Sequence, residues 1–422
     1  MTNEIKEKAI LVGCQLQNVD DEQFDYSMDE LASLTKTANG EVILMTSQKR
    51  TKYHSALYIG TGKAEELLAA IEELEPDVII FNNELTPSQI RNLTSMLGKR
   101  VIDRTQLILD IFALRAKSKE GKLQVELAQL QYLLPRLVGQ GTELSRLGGG
   151  IGTRGPGETK LESDRRHIRK RIDDIKQQLN VIVEHRKRYR ERRKRNEMFH
   201  ISLVGYTNAG KSTLFNRLTK SDTFEQDLLF ATLDPTTRKF MLSSGMTTLL
   251  TDTVGFIQDL PTSLVAAFRS TLEEATEADF ILHVVDASHE NYRSHEETVK
   301  HLLNDLDVKN IPMLTVYNKM DKVHPDFVPE PSTTHLEMSA LNEGDLQKLR
   351  TRIEEECKQY MEYYEVSIPS FDGKLLHEIK KYTLLETIEF NEENETYDLT
   401  GYVFKHHSLF DTVNRYRTNK EQ

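Results

Sequence analysis

The sequence predicts an α/β protein of several domains, and three observations support this fold class. The 422 residues exceed the roughly 100–200 that a single domain usually holds. Short β-branched runs alternate with helical patterns towards both ends of the chain, which predicts sheets covered by helices. Between these regions lie two helical patterns with a narrower apolar seam. We expect four domains, at residues 1–118, 119–197, 198–362 and 363–422.

The composition is typical of a cytoplasmic protein. Apolar residues make up 38% of the chain and charged residues 29%, and no run approaches the roughly 18 apolar residues of a membrane span. The charged start of the chain does not resemble a signal peptide. The two cysteines, Cys14 and Cys357, cannot form a disulfide framework, which favours a reducing compartment. We expect no integral membrane insertion.

The N-terminal part predicts a small sheet with helical cover. Its strand-like runs are Ala9–Gly13, Val42–Met45 and Val78–Phe81, and its helical patterns are Leu31–Leu34, Ala64–Leu74 and Pro87–Leu97. The segment Gly60-Thr-Gly62-Lys63 precedes one helix and partly resembles a nucleotide-binding loop. It lacks a Ser or Thr after the lysine, so a glycine turn is the favoured interpretation and ATP binding is the alternative.

The middle part predicts an antiparallel helical hairpin. Apolar residues recur at alternating spacings of four and three residues, at Leu123, Leu127, Leu130, Leu134 and Leu137 and again at Ile168, Ile172, Ile175, Leu179 and Ile182. Two short seams of this kind bury their apolar stripes most simply against each other. The glycine-rich stretch Gly139–Gly157 is expected to form the tip.

The charge of the chain is distributed unevenly. The net charge is −11, which taken as an average argues against a nucleic-acid partner. Residues 154–195, however, contain 16 Lys and Arg against 7 Asp and Glu, a local charge of +9, so the remainder carries −20. Eight of the ten residues Arg186–Arg195 are basic. This run predicts salt-dependent binding to RNA, and a solvated helix face is the alternative.

Residues 198–362 predict a second α/β domain that begins with a phosphate-binding loop. The strand-like run His200–Val204 leads into Gly205-Tyr-Thr-Asn-Ala-Gly210-Lys211-Ser212, which fits the pattern G-x-x-x-x-G-K-[ST]. The glycines let backbone N–H groups face the phosphates, and the following helix adds its partial positive charge. We expect Lys211 to reach the β- and γ-phosphates and Ser212 to bind Mg²⁺.

Three further motifs follow in the order that guanine-nucleotide recognition requires. The carboxylate of Asp252-Thr-Val-Gly255 can hold Mg²⁺ through water, and its glycine N–H can meet the γ-phosphate. The last carboxylate of Asn318-Lys-Met-Asp321 can accept two hydrogen bonds from guanine, a pair of donors that adenine lacks. The pair Ser339-Ala340 can bring a backbone N–H to the guanine oxygen. Together the motifs predict a Ras-like P-loop domain that binds GTP.

The segment Phe230-Ala-Thr-Leu-Asp234-Pro-Thr-Thr-Arg238 predicts a loop that responds to the nucleotide. One of Thr232, Thr236 and Thr237 is expected to bind Mg²⁺ and to order the loop when the γ-phosphate is present. An ordinary polar loop is the alternative. Arg238 could stabilise charge during hydrolysis, although an exposed loop arginine is the favoured interpretation.

Two more residues bear on turnover. Phe256 stands where many GTPases place a glutamine that orients the attacking water, so we expect slow intrinsic hydrolysis and a partner that completes the site. Asn208 is similar to the asparagine of GTPases that use K⁺ at the phosphate loop. A residue that tolerates a tight turn is an equal alternative for Asn208.

The C-terminal part, residues 363–422, predicts a small α+β domain to which the sequence assigns no role. It offers a helix near Lys374–Lys381 and strands at Leu384–Phe390 and Tyr397–Phe404. The adjacent His406 and His407 do not form a spaced metal set with the cysteines.

With these motifs in place, the chain resembles the HflX family of translational GTPases, within the Obg–HflX group. The most specific match is Gly148-Gly-Gly-Ile-Gly-Thr-Arg-Gly-Pro-Gly-Glu-Thr-Lys-Leu-Glu-Ser-Asp-Arg-Arg166 at the predicted hairpin. Phe230-Ala-Thr-Leu-Asp234 also matches, and the resemblance implies that Thr232 is the Mg²⁺ ligand. Phe256 fits the family's apolar substitution. Leu341 departs from the family, in which Lys often follows Ser-Ala.

The resemblance implies a Mg²⁺-dependent GTPase with Lys211, Thr232 and Gly255 as catalytic residues. It implies Ser212 and Thr232 as Mg²⁺ ligands, with Asp252 acting through water. The residues expected to bind GTP are Gly205, Tyr206, Thr207, Asn208, Ala209, Gly210, Lys211, Ser212, Thr213, Phe230, Ala231, Thr232, Leu233, Asp234, Asp252, Thr253, Val254, Gly255, Asn318, Lys319, Met320, Asp321, Ser339, Ala340 and Leu341.

The resemblance also implies binding to the large ribosomal subunit and the 70S ribosome, ribosome-stimulated GTP hydrolysis, and splitting or rescue of stalled ribosomes under stress. The residues expected to contact rRNA are Arg146, Arg154, Lys160, Arg165, Arg166, Arg186, Lys187, Arg188, Arg190, Arg192, Arg193, Lys194 and Arg195. A monomer that does not bind DNA is expected. Two alternatives stay open, a GTP switch that acts on protein partners and an RNA-remodelling NTPase with a second nucleotide site in the N-terminal domain.

Overall fold

A computed structural model describes residues 6–137, 156–195, 198–220, 229–258, 275–306, 308 and 311–418, with the backbone alone at 156–161, 187, 189–195 and 417–418. The chain forms two compact units. The first comprises Met1–Val183, Leu228–Phe230 and Asp259–Phe268, and the second comprises Glu184–Asp227, Ala231–Gln258 and Arg269–Gln422. Among the described residues, no helix combines the length and apolar character that a membrane span needs.

A parallel sheet of four strands, in the order β2–β1–β3–β4, organises the first unit. The strands and helices alternate along the chain as β1 (Glu7–Leu16), α1 (Asp21–Thr37), β2 (Gly40–Arg50), α2 (Thr61–Leu74), β3 (Val78–Phe81), α3 (Pro87–Leu97), β4 (Arg100–Asp103) and α4 (Arg104–Arg115). The central strand β3 is buried along its whole length, as expected for a parallel sheet with both faces covered. The predicted strands and helices are confirmed, and β4 and α4 are additional.

A buried ion pair lies at the carboxyl ends of β3 and β4. The side chains of Arg104 and Glu30 are each 4% exposed, and Arg104 Nη2 donates to Glu30 Oε2. Arg104 Nη1 donates to Asn82 Oδ1 at 3.3 Å, and Asn82 Nδ2 donates to Ser27 Oγ at 2.8 Å. Ligands of open parallel sheets usually bind at this edge. Here the chain's own charged groups occupy it.

The middle of the chain forms α5 (Lys119–Arg136) and α6 (Pro156–Arg195). Of the predicted tip Gly139–Gly157, residues 139–155 lie outside the described residues, and the last two residues begin α6. A forked ion pair joins the two helices, with Arg171 Nε and Nη2 at 2.6 and 2.8 Å from the carboxylate oxygens of Glu126. The predicted seams are only partly buried. Helix α5 also packs against α4, and the Tyr132 hydroxyl donates to Asp103 Oδ1 at 2.8 Å. One apolar stripe could not reveal this second packing face.

A sheet of six strands, in the order β10–β9–β8–β5–β7–β6, forms the centre of the second unit, and only β6 is antiparallel to its neighbour. Its elements are β5 (His200–Gly205), α7 (Lys211–Thr219), β6 (Thr236–Met241), β7 (Thr247–Asp252), β8 (Phe280–Asp286), α8 (Tyr292–Asp305), β9 (Met313–Asn318), β10 (His335–Glu337) and α9 (Glu343–Lys358). The parallel strands bring their carboxyl ends to one edge of the sheet. Every predicted nucleotide motif except the nucleotide-responsive loop follows one of these ends.

A sheet of three antiparallel strands, in the order β11–β13–β12, completes the second unit. Its elements are β11 (Glu362–Pro369), α10 (Gly373–Tyr382), β12 (Leu384–Asn391), β13 (Thr396–Val403) and α11 (Ser408–Thr418). Leu384 and Phe404 belong to the same apolar core as Phe199, and the rings of Phe199 and Phe404 stack at 4.5 Å. The predicted helix and two strands are confirmed, β11 and α11 are additional, and the predicted fold class holds for the chain.

We expect Arg104→Met to lower the free energy of unfolding by about 3–5 kcal/mol, because it leaves the Glu30 carboxylate buried without its partner. The double variant Arg104→Met/Glu30→Leu should recover most of this loss, since it removes both charges. Urea unfolding of the full chain, with hydrogen exchange at β3 and α4, measures the effect.

The exposed pair Lys49–Asp21 provides the control, because its side chains are 54% and 72% exposed. Lys49→Met should change stability little, since solvent screens exposed ion pairs. A similar loss for Lys49→Met and Arg104→Met would contradict the assigned importance of burial.

Candidate nucleotide-binding site

The loop between β5 and α7 approaches its neighbours so closely that two positions require glycine. Gly210 has φ +91°, and a Cβ there would lie 2.3 Å from Asn318 Nδ2. A Cβ on Gly255 would lie 2.8 Å from Thr207 Cγ2 and 3.1 Å from Lys211 Nζ. A side chain at either position would displace a group of the predicted site.

Lys211 is almost completely buried within this loop, with 6% of the residue exposed. Its Nζ donates to the carbonyl oxygens of Gly205 and Tyr206 at 3.0 and 2.7 Å. Burial lowers the pKa of Lys211 to about 8, and the nearby Asp252 opposes that shift. The loop thus holds an ammonium group that a phosphate could stabilise in its charged form.

Three oxygen-bearing side chains converge next to Lys211. Ser212 Oγ lies 2.8 Å from both Thr232 Oγ1 and Asp252 Oδ2, and Thr232 Oγ1 donates to Asp252 Oδ2 at 2.7 Å. Burial raises the pKa of Asp252, although Lys211 and the two hydroxyls oppose the shift. The second carboxylate oxygen, Oδ1, is buried without a hydrogen-bond partner in the structure. This oxygen-rich set fits Mg²⁺, which prefers oxygen ligands.

The structure distinguishes among the three candidate threonines. Thr232 lies with Ser212 and Asp252, whereas Thr237 Oγ1 lies 2.8 Å from Thr251 Oγ1 within the sheet. Thr236 begins strand β6. Thr232 is therefore the hydroxyl that the fold brings to the magnesium-type set.

The motif that starts at Asn318 connects the phosphate loop to the predicted base-binding loop. Asn318 Nδ2 donates to Ala209 O and Asn318 Oδ1 accepts from Ala340 N, both at 2.9 Å. Asp321 Oδ1 accepts from Ser339 Oγ, and Lys319 Nζ lies 2.7 Å from Asp286 Oδ2. The side-chain amide of Asn318 thus fixes the spacing between the phosphate loop and the predicted base-binding loop.

The backbone N–H groups predicted to reach the guanine oxygen all donate hydrogen bonds within the protein. Ser339 N donates to Asp345 Oδ2 at 3.1 Å, and Leu341 N donates to Ser339 Oγ at 3.3 Å. Ala340 N already donates to Asn318 Oδ1. A hydrogen bond from this loop to guanine would have to replace or share one of these. The side chain of Leu341 is exposed.

Phe256 connects the Asp252–Gly255 motif to the phosphate loop through its backbone. Its N–H donates to Gly205 O at 3.1 Å, and its carbonyl accepts from Thr207 N at 2.7 Å. Its side chain is buried. The backbone of Phe256 therefore holds the two motifs together, and its ring offers no group that could orient a water.

Asn208 and Arg238 are both exposed. Asn208 has φ +61°, a conformation that asparagine tolerates better than most residues, which fits the tight-turn interpretation. Arg238 lies on strand β6, and its Nη1 donates to the carbonyl of Thr237 at 3.0 Å. The arginine thus binds its own strand, which fits an exposed loop or strand residue.

Phe230 has its contacts within the first unit. Its ring packs edge-on against Phe112 with centroids 4.6 Å apart, and the residue is 1% exposed. The neighbouring Leu229 N donates to Thr37 Oγ1 at 3.3 Å. The sequence predicted Phe230 to bind GTP, but its side chain lies in an apolar environment.

A stacked pair of rings supports the phosphate loop, and no sequence pattern predicted it. The Tyr206 ring stacks on His295 of α8 at 3.8 Å, and the Tyr206 hydroxyl accepts from Gln258 N at 2.8 Å. Burial lowers the pKa of His295 to about 3, so this histidine is neutral. A single histidine in a helix gives no sequence signal of such a role.

Only part of the predicted RNA-binding set can be placed. Arg166 and Arg188 are exposed on α6, and Arg165 and Arg186 are half-buried. Arg146 and Arg154 lie outside the described residues, as do the side chains of Lys160, Lys187, Arg190, Arg192, Arg193, Lys194 and Arg195. The helix backbone continues through this basic run to Arg195.

Of the two glycines in Gly60-Thr-Gly62-Lys63, Gly60 is the N-cap of α2 and Gly62 lies in the first turn of that helix. Gly60 N donates to Gln48 Oε1 at 2.8 Å, and Lys63 Nζ pairs with Glu66 at 2.8 Å. A Cβ on Gly62 would meet no neighbour within 4 Å, so this glycine does not mark a close approach. Within the described part of the chain, no group of three His, Cys, Asp or Glu side chains is arranged to hold a metal.

We expect GDP to bind about tenfold more weakly at pH 9 than at pH 7. Since burial depresses the Lys211 pKa, the free protein loses this proton above about pH 8, whereas bound phosphate favours the charged form. Fluorescent-GDP titrations measure the affinity. Calorimetry at pH 8.5 in buffers of different ionisation enthalpy should show proton uptake, and an affinity independent of pH would contradict the assignment.

Three family models match consecutive parts of the chain. They are described as GTP-binding GTPase N-terminal, at residues 25–113, GTP-binding GTPase middle region, at residues 115–193, and 50S ribosome-binding GTPase, at residues 200–319. The boundary between the first two matches lies at the end of α4, and the third match begins at β5. The matches thus follow the order of the observed elements.

The chain is similar to proteins named GTPase HflX. The relative from Alkalihalophilus pseudofirmus is 56% identical over 404 residues, 96% of this chain and 95% of the relative. That from Escherichia coli is 40% identical over 399 residues, 93% and 92% of the two chains. A solved GTP-binding protein from Sulfolobus solfataricus in complex with GDP has a TM-score of 0.45 at 26% identity, covering 84% of this chain and 99% of the other. The chain is a GTP-hydrolysing enzyme, and it belongs to the HflX family.

Proposed function

We propose that this GTPase binds the large ribosomal subunit and splits or rescues stalled or vacant 70S ribosomes, with hydrolysis stimulated by the ribosome. The observation that carries the proposal is one continuous helix that extends from Pro156 to Arg195 and ends in the basic run. At about 1.5 Å per residue, forty residues span roughly 60 Å. The family description of residues 200–319 as a 50S ribosome-binding GTPase supports the same partner.

The nucleotide site supplies the positioning chemistry that phosphoryl transfer needs. Lys211 would hold the β- and γ-phosphates, and Gly255 would offer its N–H to the γ-phosphate. Ser212 and Thr232 would hold Mg²⁺ directly and Asp252 through water, consistent with their mutual distances of 2.7–2.8 Å. Bound Mg²⁺ neutralises phosphate charge. Because Phe256 cannot orient a water, we expect the ribosome to complete the hydrolytic arrangement.

Thr232 is the proposed link between the nucleotide and the ribosome. Its hydroxyl donates to Asp252 in the structure, so the loop can exchange this internal contact for a metal contact. Such an exchange depends on the γ-phosphate, as in other GTPases whose switch loops order with GTP. Hydrolysis would then release the loop and weaken ribosome binding. Binding of K⁺ by Asn208 stays a prediction, and so do the domain limits at residues 118, 197 and 362.

RNA contact by the basic run is the second part of the proposal. Each phosphate that a Lys or Arg neutralises releases counterions, so binding should weaken steeply as salt rises. The rest of the chain carries a net −20, which would discourage indiscriminate binding to RNA. The basic helix thus restricts RNA contact to one part of the molecule.

We expect the protein to sediment with 50S subunits in the presence of a non-hydrolysable GTP analogue, and to shift 70S particles towards free subunits. Replacing the eight basic residues of Arg186–Arg195 by Gln should reduce sedimentation at least tenfold and flatten its salt dependence. The control replaces Lys380 and Lys381 of α10 by Gln and should retain binding.

Three outcomes separate the alternatives. Binding without a shift towards free subunits would overturn splitting and leave a ribosome-binding GTPase. No binding at all would favour a GTP switch that acts on other protein partners. Nucleotide turnover that persists in Lys211→Ala would favour a second nucleotide site in the first unit.

We expect Asp321→Asn to exchange guanine specificity for xanthine specificity. An amide can donate to the 2-carbonyl of xanthine, whereas the native carboxylate can only accept from the 2-amino group of guanine. GTPase rates with GTP and XTP measure the exchange, which should lower activity with GTP at least a hundredfold. Asp345→Asn is the control, since Asp345 accepts from Ser339 N without facing the base in the proposed assignment. Unchanged GTP preference in Asp321→Asn would contradict the assignment.

A further inference from the structure

The outer edge of β12 combines exposed apolar side chains with a strong negative charge. Strand β13 pairs with one side of β12, and within the described part of the chain no strand pairs with its other side. Residues Glu386–Phe390 are exposed in succession. The backbone of an edge strand can pair with an added strand, which is a common way to bind an extended peptide.

The apolar part of this edge continues the hydrophobic face of the C-terminal sheet. Ile388 lies opposite the buried Leu399, and Phe390 lies opposite Tyr397, so all four side chains share one face. Ile388 is nevertheless 38% exposed and Phe390 is 50% exposed. The core that α10 and α11 cover thus includes Leu385 near the start of β12 and ends before Ile388.

A third large apolar residue lies at the same end of the sheet. Ser370 N donates to Glu395 O at 2.9 Å, which brings the end of β11 next to the turn between β12 and β13. The next residue, Phe371, is 90% exposed. Phe371 follows β11, the opposite edge strand, so it shares the end of the sheet with Phe390 but not the β12 edge. Single exposed apolar residues are common, whereas several at one end of a sheet indicate an interaction surface.

The charge of this edge determines which partner fits it. The hairpin of β12 and β13, residues Leu384–Val403, contains six acidic residues and no Lys or Arg. Glu386 pairs with Lys358 and Asp398 accepts from Ser367, while no described cation lies within ion-pair distance of the other four, Glu389, Glu392, Glu393 and Glu395. Such a surface repels phosphates and attracts a basic peptide.

Edge protection alone does not account for the pattern. Charged residues on an edge strand can block aggregation, and the bulge near Glu386 acts in the same direction. Polar residues throughout the strand would protect best against aggregation, yet Ile388 and Phe390 expose apolar surface between the charges. Alternating acidic and apolar positions instead match an extended segment that carries basic and apolar side chains.

We propose that the outer edge of β12 docks a lysine- and arginine-rich extended segment of a protein of the large ribosomal subunit, which adds to the sheet as a strand. This inference rests on the proposed function, because the ribosome supplies the partner. It assigns to the C-terminal sheet a contact with protein, while the basic helix contacts RNA. The basic helix and the C-terminal sheet would thus recognise the two chemical components of the subunit.

Photo-crosslinking tests the proposal directly. The full chain with p-benzoylphenylalanine in place of Phe390 is mixed with purified 50S subunits and a non-hydrolysable GTP analogue, irradiated, and sedimented. The control carries the same group in place of His377, which is exposed on α10. We expect position 390 to crosslink to a lysine- and arginine-rich peptide of a subunit protein, and position 377 to give no such product.

Other outcomes overturn the proposal in distinguishable ways. Sedimentation without a crosslink, a crosslink to rRNA, or a crosslink to a second copy of this chain would overturn the docking and leave the proposed function intact. Failure to sediment would overturn the proposed function, and the docking partner with it.

Charge reversal supplies an independent measurement. We expect Glu389→Lys/Glu393→Lys to bind 50S subunits about tenfold more weakly, because it repels a basic segment. The matched control, Glu65→Lys/Glu72→Lys on α2, changes the net charge equally at exposed positions. General attraction to rRNA would strengthen the binding of both variants. Tighter or unchanged binding of the β12 variant would therefore overturn the proposal.

Discussion

The burial of one ammonium group constrains the whole nucleotide site. Lys211 has lost nearly all its contact with water, and only two backbone carbonyls and the nearby Asp252 compensate for this loss. Such proximity requires a backbone without side chains, which Gly210 and Gly255 provide. The buried cation therefore explains why glycine, carboxylate and hydroxyl groups are concentrated at one edge of the sheet. A phosphate would satisfy the charge more completely than the carbonyls do.

A second constraint comes from a neutral side chain. The amide of Asn318 can donate and accept at the same time, and it uses both capacities to join the phosphate loop to the base-binding loop. An aspartate in this position could not donate, and a leucine could do neither. The spacing of the two loops therefore depends on a residue that need not touch the nucleotide.

Much of the fold and of the site could be predicted from short patterns. The phosphate loop and its partner motifs are local in sequence, and parallel strands bring their ends together without further information. The sequence could not indicate that Ala340 N is already engaged by Asn318, or that Tyr206 stacks on His295, because these contacts join distant segments. Phe230 is a further example. Its motif predicted contact with GTP, whereas in the structure its ring packs against Phe112, which is distant in sequence. The short strand β4 escaped detection because only two of its four residues are apolar, whereas the equally short β3 is apolar throughout.

The stacked rings of Phe199 and Phe404 have a consequence for how the second unit folds. The first precedes β5, the strand that leads into the phosphate loop, and the second follows the last strand of the C-terminal sheet. Both belong to one continuous apolar core, together with Leu384. If the C-terminal sheet detached, these side chains would become exposed, at a cost of about 1.5–3 kcal/mol for each. The second unit should therefore fold and unfold cooperatively across the predicted limit at residue 362.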